Sequence, residues 1–206
     1  MSENWNNRYQ EYEFVYGYEP NVFIQFIAEK IEFKGHSLAI AEGEGRNALF
    51  LAHKANRENQ PFSIELWDYS SVGLQKAKDR AQKENIKILT QCLDLNDVMW
   101  QESTFQNIFC VFGHFPSELR QKTLLGIRGS LKNGGWFIGE VYSKEQLNYS
   151  TGGPRSFDML YDIYDFLNNF GKDSFYHFFV GEVERHEGEF HTGKCHVIQF
   201  AIQIKK

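Results

Sequence analysis

The chain has few cysteines, no concentrated charge of either sign and no long apolar run. Its three cysteines are an odd number without CxxC or CxxxC spacing, which argues against a disulfide framework and fits a reducing compartment. The formal charge of -5 is spread without a basic cluster, so the surface that nucleic acid backbones require is missing. No run is apolar enough to span a bilayer, and the polar start "MSENWNNRYQ" has no signal-peptide pattern. These absences predict a cytoplasmic protein with a small-molecule partner and neither nucleic acid nor membrane contacts.

The sequence also lacks the marks of a domain boundary. It has four prolines in 206 residues, no repeat and no low-complexity tract, and 42% of its residues are hydrophobic, enough to bury a core of its own. We therefore expect one domain over residues 1–206. Residues 1–20 are dense in aromatics and predict an N-terminal cap segment, which would act either as a hydrophobic clasp over the sheet or as a lid over a ligand.

Short apolar runs alternate with amphipathic helical patterns over the first 142 residues. Strands are predicted at 37–41, 62–67, 86–92, 105–112 and 136–142, and helices at 21–33, 46–54 and from Ser70 or Ser71 to 84, with a Ser117-capped helix before the fifth strand. Such alternation predicts an α/β fold, a doubly wound and mainly parallel sheet with helices on both faces.

The C-terminal third departs from that alternation. After a helix predicted over 157–170, residues 175–183 and 195–206 both read as extended segments, and the second alternates apolar and other side chains with a period of two. The connection "ERHEGEFHTGK" at 184–194 reads as rich in turns. A terminal antiparallel hairpin at the edge of the sheet is therefore predicted.

The stretch "LAIAEGEGRNALFLA" at 38–52 joins the first strand to the next helix. Gly43 and Gly45 permit close approach of a ligand to the backbone beside a helix N-terminus, and "GEGRNA" satisfies the GxGxxA form of a dinucleotide fingerprint. A pyrophosphate there would be repelled by the carboxylates of Glu42 and Glu44. The two acids therefore favour a ligand that carries positive charge.

Two further acids follow the next strands. Asp68 ends the second predicted strand, where it can accept hydrogen bonds from both ribose hydroxyls, and Asp94 follows the third, where it can receive an adenine amino group. An adenosine with a positive sulfur and no phosphate fits this set, so the predicted cofactor is S-adenosyl-L-methionine.

These residues resemble the class I S-adenosylmethionine-dependent methyltransferases, and more narrowly the tellurite-resistance methyltransferase group. The likeness covers nearly the whole chain, through "WNNRYQEYEFVYGYEPN", "AEGEGRNALFLA", "DYSSVGLQKA", "CLDLND", "LKNGGWFIGEVY", "GGPRSFDML" and "HEGEFHTGKCHVIQF". It implies a seven-stranded sheet of order 3-2-1-4-5-7-6. The cofactor contacts that it implies are Tyr9, Glu42, Gly43, Glu44, Gly45, Asn47, Asp68, Tyr69, Asp94, Leu95 and Phe112. Asn107 departs from the family, which often has an acid at the start of the fourth strand, and so puts carboxylate catalysis from that strand in doubt.

The acceptor decides which further groups the reaction needs. A soft nucleophile, a thiol or an oxyanion of tellurium or selenium, needs little beyond positioning and exclusion of water, and it predicts an enzyme of detoxification type. An oxygen or nitrogen acceptor needs a base, for which His114 after the fourth strand is best placed.

The resemblance adds the catalytic candidates Arg185, His186 and His191, each of which could equally be a turn residue that solvates the hairpin. No metal site is expected, because the histidine spacing clusters none of them on a regular element.

Other interpretations of the same sequence stay open. A nicotinamide-dependent oxidoreductase would use the same GxGxxA, although Glu42 and Glu44 speak against it. A protein that binds the cofactor without catalysis is kept open by Asn107. The segment "GGPRSF" at 152–157 is either an ordinary turn or a substrate lid. The sequence does not predict the oligomeric state.

Overall fold

A seven-stranded sheet forms the centre of the protein. The structure, a computed structural model, describes residues 2–188 and 190–206. Strands β1 to β7 span Gly35–Ile40, Phe62–Asp68, Leu89–Cys92, Phe105–Val111, Leu131–Tyr142, Ser174–Glu187 and His191–Gln203. Their spatial order is β3-β2-β1-β4-β5-β7-β6. The first five strands pair in parallel, while β7 is antiparallel to both β5 and β6. The predicted fold class and strand order are confirmed.

Helices cover both faces of this sheet. Helices α1 to α6 span Ser2–Glu11, Val22–Ala28, Arg46–Arg57, Ser71–Lys83, Ser117–Ser130 and Ile163–Phe170. Because neighbouring residues of a strand point to opposite faces, β1 serves two cores at once. Ala39 packs with apolar side chains of α2, α3 and α4, whereas Leu38 and Ile40 pack with those of α5 and α6.

The C-terminal hairpin is longer than the sequence predicted. Pairing of β6 with β7 continues from Ser174 opposite Gln203 as far as Glu187 opposite His191. The prediction of a turn-rich connection over 184–194 is therefore wrong. The polar residues there alternate along two strands, and because every second side chain points inward, Arg185 and Glu187 are buried while His186 is exposed.

Two predicted helices differ in extent from the observed ones. The helix predicted over 21–33 ends at Ala28, and Val22 and Phe26 on it are about half exposed, with values of 52% and 49%. The helix predicted over 157–170 is divided into a short 3-10 turn at Phe157–Met159 and α6, which begins after Asp162 because Asp162 and Asp165 form a capping box there. None of the helices in the described ranges has the length and apolar character that crossing a bilayer requires.

Candidate active site

A cavity of about 510 Å³ lies at the carboxyl edge of the parallel strands. Each of the five parallel strands contributes a side chain from its end or from the residues just after it: Glu42, Asp68, Asp94, Phe112 and Tyr142. Further lining residues come from the N-terminal segment, from the segments that follow β4 and β5, and from the β6–β7 turn. This edge is where open α/β sheets bind their ligands.

The glycine loop after β1 lies directly under the N-terminal helix α1. Gly43 and Gly45 have φ of 56° and 79°, which other residues adopt only with strain. A Cβ atom at Gly43 would lie 2.2 Å from the Tyr9 hydroxyl oxygen, and one at Gly73 would lie 3.1 Å from the same ring. The two glycines therefore make the space in which Tyr9 is buried over the loop. Burial, with the nearby Asp68 carboxylate, raises the pKa of Tyr9 well above its usual value, so its hydroxyl stays neutral.

Glu42 and Asp68 connect this loop to its neighbours through backbone amides. Glu42 Oε1 accepts hydrogen bonds from the amides of Asn47 and Ala48, both 2.9 Å, at the start of α3. The Asp68 carboxylate accepts from Gly43 at 2.9 Å and from Ser70 at 2.8 Å. Burial raises the pKa of each carboxyl to about 6. Both groups therefore change their charge close to neutral pH.

Glu44 and Asn47 line the cavity but are also engaged in holding the N-terminal segment. One oxygen of Glu44 accepts from the Val15 amide at 2.9 Å and the other from Lys76 Nζ at 2.9 Å. Asn47 Oδ1 accepts from the Asn21 amide at 2.8 Å. Glu44, inside the glycine loop, therefore binds the N-terminal segment of the protein itself, a role that the sequence did not predict.

Tyr69, Asp94 and Leu95 line the cavity on the side of β2 and β3. Asp94 is exposed and its Oδ1 accepts from the Asn96 amide at 2.9 Å, while Leu95 is buried. Burial and the carboxylates of Asp68 and Asp94 raise the pKa of Tyr69 to about 12. This side of the cavity combines apolar surface with an accessible carboxylate.

His114 is placed in the cavity wall as a neutral imidazole. Its Nδ1 donates to the Met159 carbonyl at 3.1 Å, and its Nε2 accepts from the Tyr142 amide at 3.4 Å. Burial lowers its pKa to about 4. Both ring nitrogens are engaged, so the structure does not present His114 as a base that is ready near neutral pH.

The three catalytic candidates of the hairpin, Arg185, His186 and His191, lie in three different environments. His191 is buried, lines the cavity and packs its ring 4.2 Å from that of Phe112, centroid to centroid. Burial, and then the charge of Arg46, lowers the pKa of His191 well below its usual value. The His186 side chain is 72% exposed, pairs with Glu184 and points away from the cavity. Arg185 is buried but is not part of the cavity wall. The structure therefore brings one of the three, His191, to the site.

Arg185 belongs instead to a buried charged network under the cavity. Its guanidinium forms two hydrogen bonds to the Glu140 carboxylate, that from Nε at 2.9 Å. Arg46 donates to Glu187 at 2.6 Å, and the Asn21 amide group donates to both Glu140 and Glu187, at 2.9 and 3.0 Å. Sequence reasoning missed this network. The available sign of it was Glu140 inside the apolar strand "WFIGEVY", because a carboxylate at a buried position needs hydrogen-bond partners.

Asn107 lies at the opposite edge of the sheet, near the start of β4. Its amide nitrogen donates to the Lys34 carbonyl at 2.8 Å and to the Ser37 hydroxyl at 2.9 Å. It does not line the cavity. Asn107 therefore has no bearing on chemistry at the carboxyl edge. The interpretation that the protein binds the cofactor without catalysing a reaction depended on Asn107 and loses that support.

Several other cavity-lining residues were not predicted from the sequence. They are Arg8, Tyr142, Met159 and Phe190, together with Gly152, Gly153 and Pro154 of the segment for which a turn and a lid were both open. Tyr142 ends β5, and this position at the carboxyl end of a parallel strand was the available signal. Within the described residues, no three His, Cys, Asp or Glu side chains are grouped so that they could hold a metal ion.

Residues 38–135 match the family described as methyltransferase domain. TehB from Haemophilus influenzae has a similar structure, with a TM-score of 0.72 and 17% identity over 90% of this chain and 63% of that one. An S-adenosylmethionine-dependent methyltransferase from Clostridium acetobutylicum gives a TM-score of 0.64 and 15% identity over 100% of this chain and 93% of the other. A structure concerning conversion of a disulfide bond into a thioacetal group during echinomycin biosynthesis gives a TM-score of 0.72 and 12% identity over 91% of this chain and 82% of the other. No curated protein matches the chain.

Residues 38–135 thus match a methyltransferase domain, and the strand order is that of the class I S-adenosylmethionine-dependent methyltransferase fold. The cofactor that the sequence predicts for such a domain is S-adenosylmethionine. This match, which includes the glycine loop, favours methyl transfer over the nicotinamide alternative. The residues present fit this cofactor, since they offer carboxylates and apolar surface at the glycine loop, and Arg46, one of the two guanidiniums in the cavity wall, is paired with Glu187.

Proposed function

We propose that the protein methylates the sulfur of a small-molecule thiol. The observation that carries this proposal is the state of the two histidines in the cavity. Burial lowers the pKa of His114 to about 4 and that of His191 well below its usual value, so neither is tuned to remove a proton near pH 7. A thiol ionises without a dedicated base, and its thiolate is a strong nucleophile.

We assign the cofactor contacts as follows. When bound, S-adenosylmethionine supplies a methyl group already activated by its positive sulfur. Asp68 would accept hydrogen bonds from the ribose hydroxyls, and Asp94 would accept one from the adenine amino group, with Tyr69 and Leu95 against the adenine ring. The backbone of Gly43 and Gly45 would approach the amino acid part. Glu42 would attract its positive charges. Glu44, whose two oxygens are bonded to the Val15 amide and to Lys76, would line the same part of the cofactor site.

Tyr9 and Phe112 would close the cofactor site from above and from the acceptor side. Tyr9 is buried over Gly43, and Phe112 follows β4 with its ring against Tyr142 and His191. Asn47 would act through the Asn21 amide that it holds. The chain from 1 to 206 would then work as one domain, with residues 1–20 as its cap.

An oxyanion of tellurium or selenium remains a second prediction for the acceptor, made from the sequence resemblance. The similarity to TehB is a similarity of fold at 17% identity. The thiol is favoured here because four carboxylates and only two guanidiniums of the described residues line the cavity, and one of these guanidiniums, that of Arg46, is already paired with Glu187 at 2.6 Å.

S-adenosylmethionine is expected to raise the melting temperature of the protein, and NADH is not, because a ligand that binds the folded state stabilises it. Asp68→Ala should weaken binding by about 1–3 kcal/mol, since the ribose hydroxyls lose their acceptor. Thermal-shift titration measures both effects. Asp79→Ala is the matched control, because that carboxylate lies on the exposed face of α4 and bonds to Gln75. An unchanged shift in Asp68→Ala would refute the ribose assignment.

The affinity for S-adenosylmethionine is expected to fall as the pH is lowered through about 6. Burial raises the pKa of both Glu42 and Asp68 to about 6, so acid converts carboxylates that accept hydrogen bonds and attract a cation into neutral groups. Each group should raise Kd about tenfold between pH 7 and pH 5. Isothermal titration calorimetry across this range measures the slope. Asp68→Asn should remove its share of the slope, and a flat profile in the unaltered protein would contradict the assignment of both acids.

A further inference from the structure

Two buried polar atoms without a hydrogen-bond partner in the described residues occur side by side in the cavity wall. They are the Tyr142 hydroxyl oxygen and His191 Nδ1. Tyr142 is fully buried, His191 is 6% exposed, and their ring centroids are 5.5 Å apart. Because an unpaired buried polar group is costly, native proteins leave few of them, and such groups commonly mark a functional site.

The loop of Gly152 and Gly153 covers these two side chains. A Cβ atom at Gly152 would lie 3.1 Å from the Tyr142 hydroxyl oxygen and 3.4 Å from His191 Cδ2, and one at Gly153 would lie 2.7 Å from the Tyr142 ring. Both glycines have positive φ, 117° and 79°. The backbone of the loop therefore lies on the pair, and the same two glycines line the cavity.

The walls beside the pair are aromatic. The Phe112 ring stacks on Tyr142 with centroids 4.6 Å apart and an angle of 26° between the planes. Tyr16 packs on His191 at 4.5 Å. Phe112 and Tyr16 are only half-buried and line the cavity, so their remaining aromatic surface favours a flat, apolar ligand body.

The charge of the cavity wall limits the charge of an acceptor. Its carboxylates are Glu42, Glu44, Asp68 and Asp94, and its guanidiniums are Arg8 and Arg46. Burial keeps His191 and Tyr142 neutral, since it lowers the pKa of the first and raises that of the second. A doubly charged oxyanion would therefore be desolvated beside an excess of negative charge. A single negative charge on a thiolate is matched by the positive sulfur of the cofactor.

We propose that Tyr142 and His191 form the acceptor subsite and that the acceptor is a flat aromatic or heteroaromatic thiol. This inference rests on the proposed thiol methylation. Once the loop of Gly152 and Gly153 that covers them is displaced, the hydroxyl oxygen and Nδ1 would bond to a polar atom of the acceptor ring and so position its exocyclic sulfur. The thiol proton leaves to solvent, the thiolate sulfur forms the bond to the methyl carbon, and the bond from that carbon to the cofactor sulfur breaks with its electron pair remaining on that sulfur.

The test uses three probe thiols with the full chain: 2-mercaptopyridine, which has a ring nitrogen, thiophenol, which lacks it, and 2-mercaptoethanol, which has no ring. KM should be about tenfold lower for 2-mercaptopyridine than for thiophenol, the value of one hydrogen bond, and highest for 2-mercaptoethanol. In Tyr142→Phe and His191→Phe, which keep the aromatic packing, the difference between the two aromatic thiols should largely vanish. The melting shift with S-adenosylmethionine should be unchanged in both variants.

A binding readout accompanies the kinetics. With S-adenosylhomocysteine present, calorimetry should give a Kd for 2-mercaptopyridine that rises about tenfold in Tyr142→Phe. Tyr149→Phe is the matched control, because that hydroxyl bonds to Glu182 outside the cavity wall. Methylation of all three thiols with equal KM, or a preference that survives both substitutions, would overturn the subsite while leaving thiol methylation intact. If no thiol is methylated and tellurite is, the proposed function fails as well.

Discussion

Arg185→Leu is expected to lower the free energy of unfolding by about 3–5 kcal/mol, because it leaves the Glu140 carboxylate buried with its charge uncompensated. Glu140 is fully buried and is held by two bonds from Arg185, one from Asn21 and one from Gln199 at 2.7 Å. The two amides cannot supply the charge that the guanidinium supplies. Chemical denaturation with a two-state fit measures the loss.

His186→Leu is the matched control for this prediction. It lies next to Arg185 on the same strand, but its side chain is 72% exposed, and surface substitutions change stability by about 0.5 kcal/mol or less. Adding Glu140→Gln to Arg185→Leu should restore part of the loss, since the uncompensated charge is removed. Full stability of Arg185→Leu together with a loss of turnover would show that Arg185 acts in catalysis, as the sequence suggested.

The contrast between Arg185 and Asp68 shows what the sequence can predict. Asp68 ends a strand, and in a parallel sheet the ends of the strands share one edge, so a residue's position along its own strand fixes its position in the site. The same reasoning predicted Glu42 and Asp94 at this edge without knowledge of any long-range contact, whereas Phe112 was predicted from the family resemblance; all three line the cavity.

The buried network could not be obtained in this way. Arg185 and Glu140 are 45 positions apart and Arg46 and Glu187 are 141 apart. Which charge meets which depends on the register of β6 against β7 and of β7 against β5, and a shift of one residue would turn each side chain to the other face. The sequence showed basic residues near the last strand, but not which of them point inward.

The protonation states depend on tertiary structure in the same manner. His114 was predicted as a base because it follows β4, and it does line the cavity. Its pKa of about 4 arises from burial, with its nitrogens engaged by Met159 and Tyr142. A sequence gives the residue type and its place on an element, whereas burial and bonding partners are set by segments that pack against it.

Deletion of residues 1–18 is expected to abolish methyl transfer and to leave a folded core. The segment contacts the cofactor loops through the Tyr9 ring over Gly43, the Val15 amide on Glu44, and Asn6 Oδ1, which accepts from the Ser70 hydroxyl at 2.7 Å. None of its residues belongs to the hydrophobic clusters on the two faces of the sheet in the described ranges. Its loss should therefore expose the cofactor to water while sparing the core.

Three measurements separate a lid from a clasp. Circular dichroism with thermal melting reports whether the truncated protein still unfolds cooperatively, calorimetry reports the Kd for S-adenosylmethionine, and product formation reports transfer. Tyr9→Ala should reproduce most of the loss of affinity, because it removes the buried ring over the glycine loop, whereas Tyr18→Ala on the same segment, where the side chain is 47% exposed, should not. A truncated protein that fails to fold would establish the segment as a structural clasp, and one that retains full activity would show that it does not cover the cofactor at all.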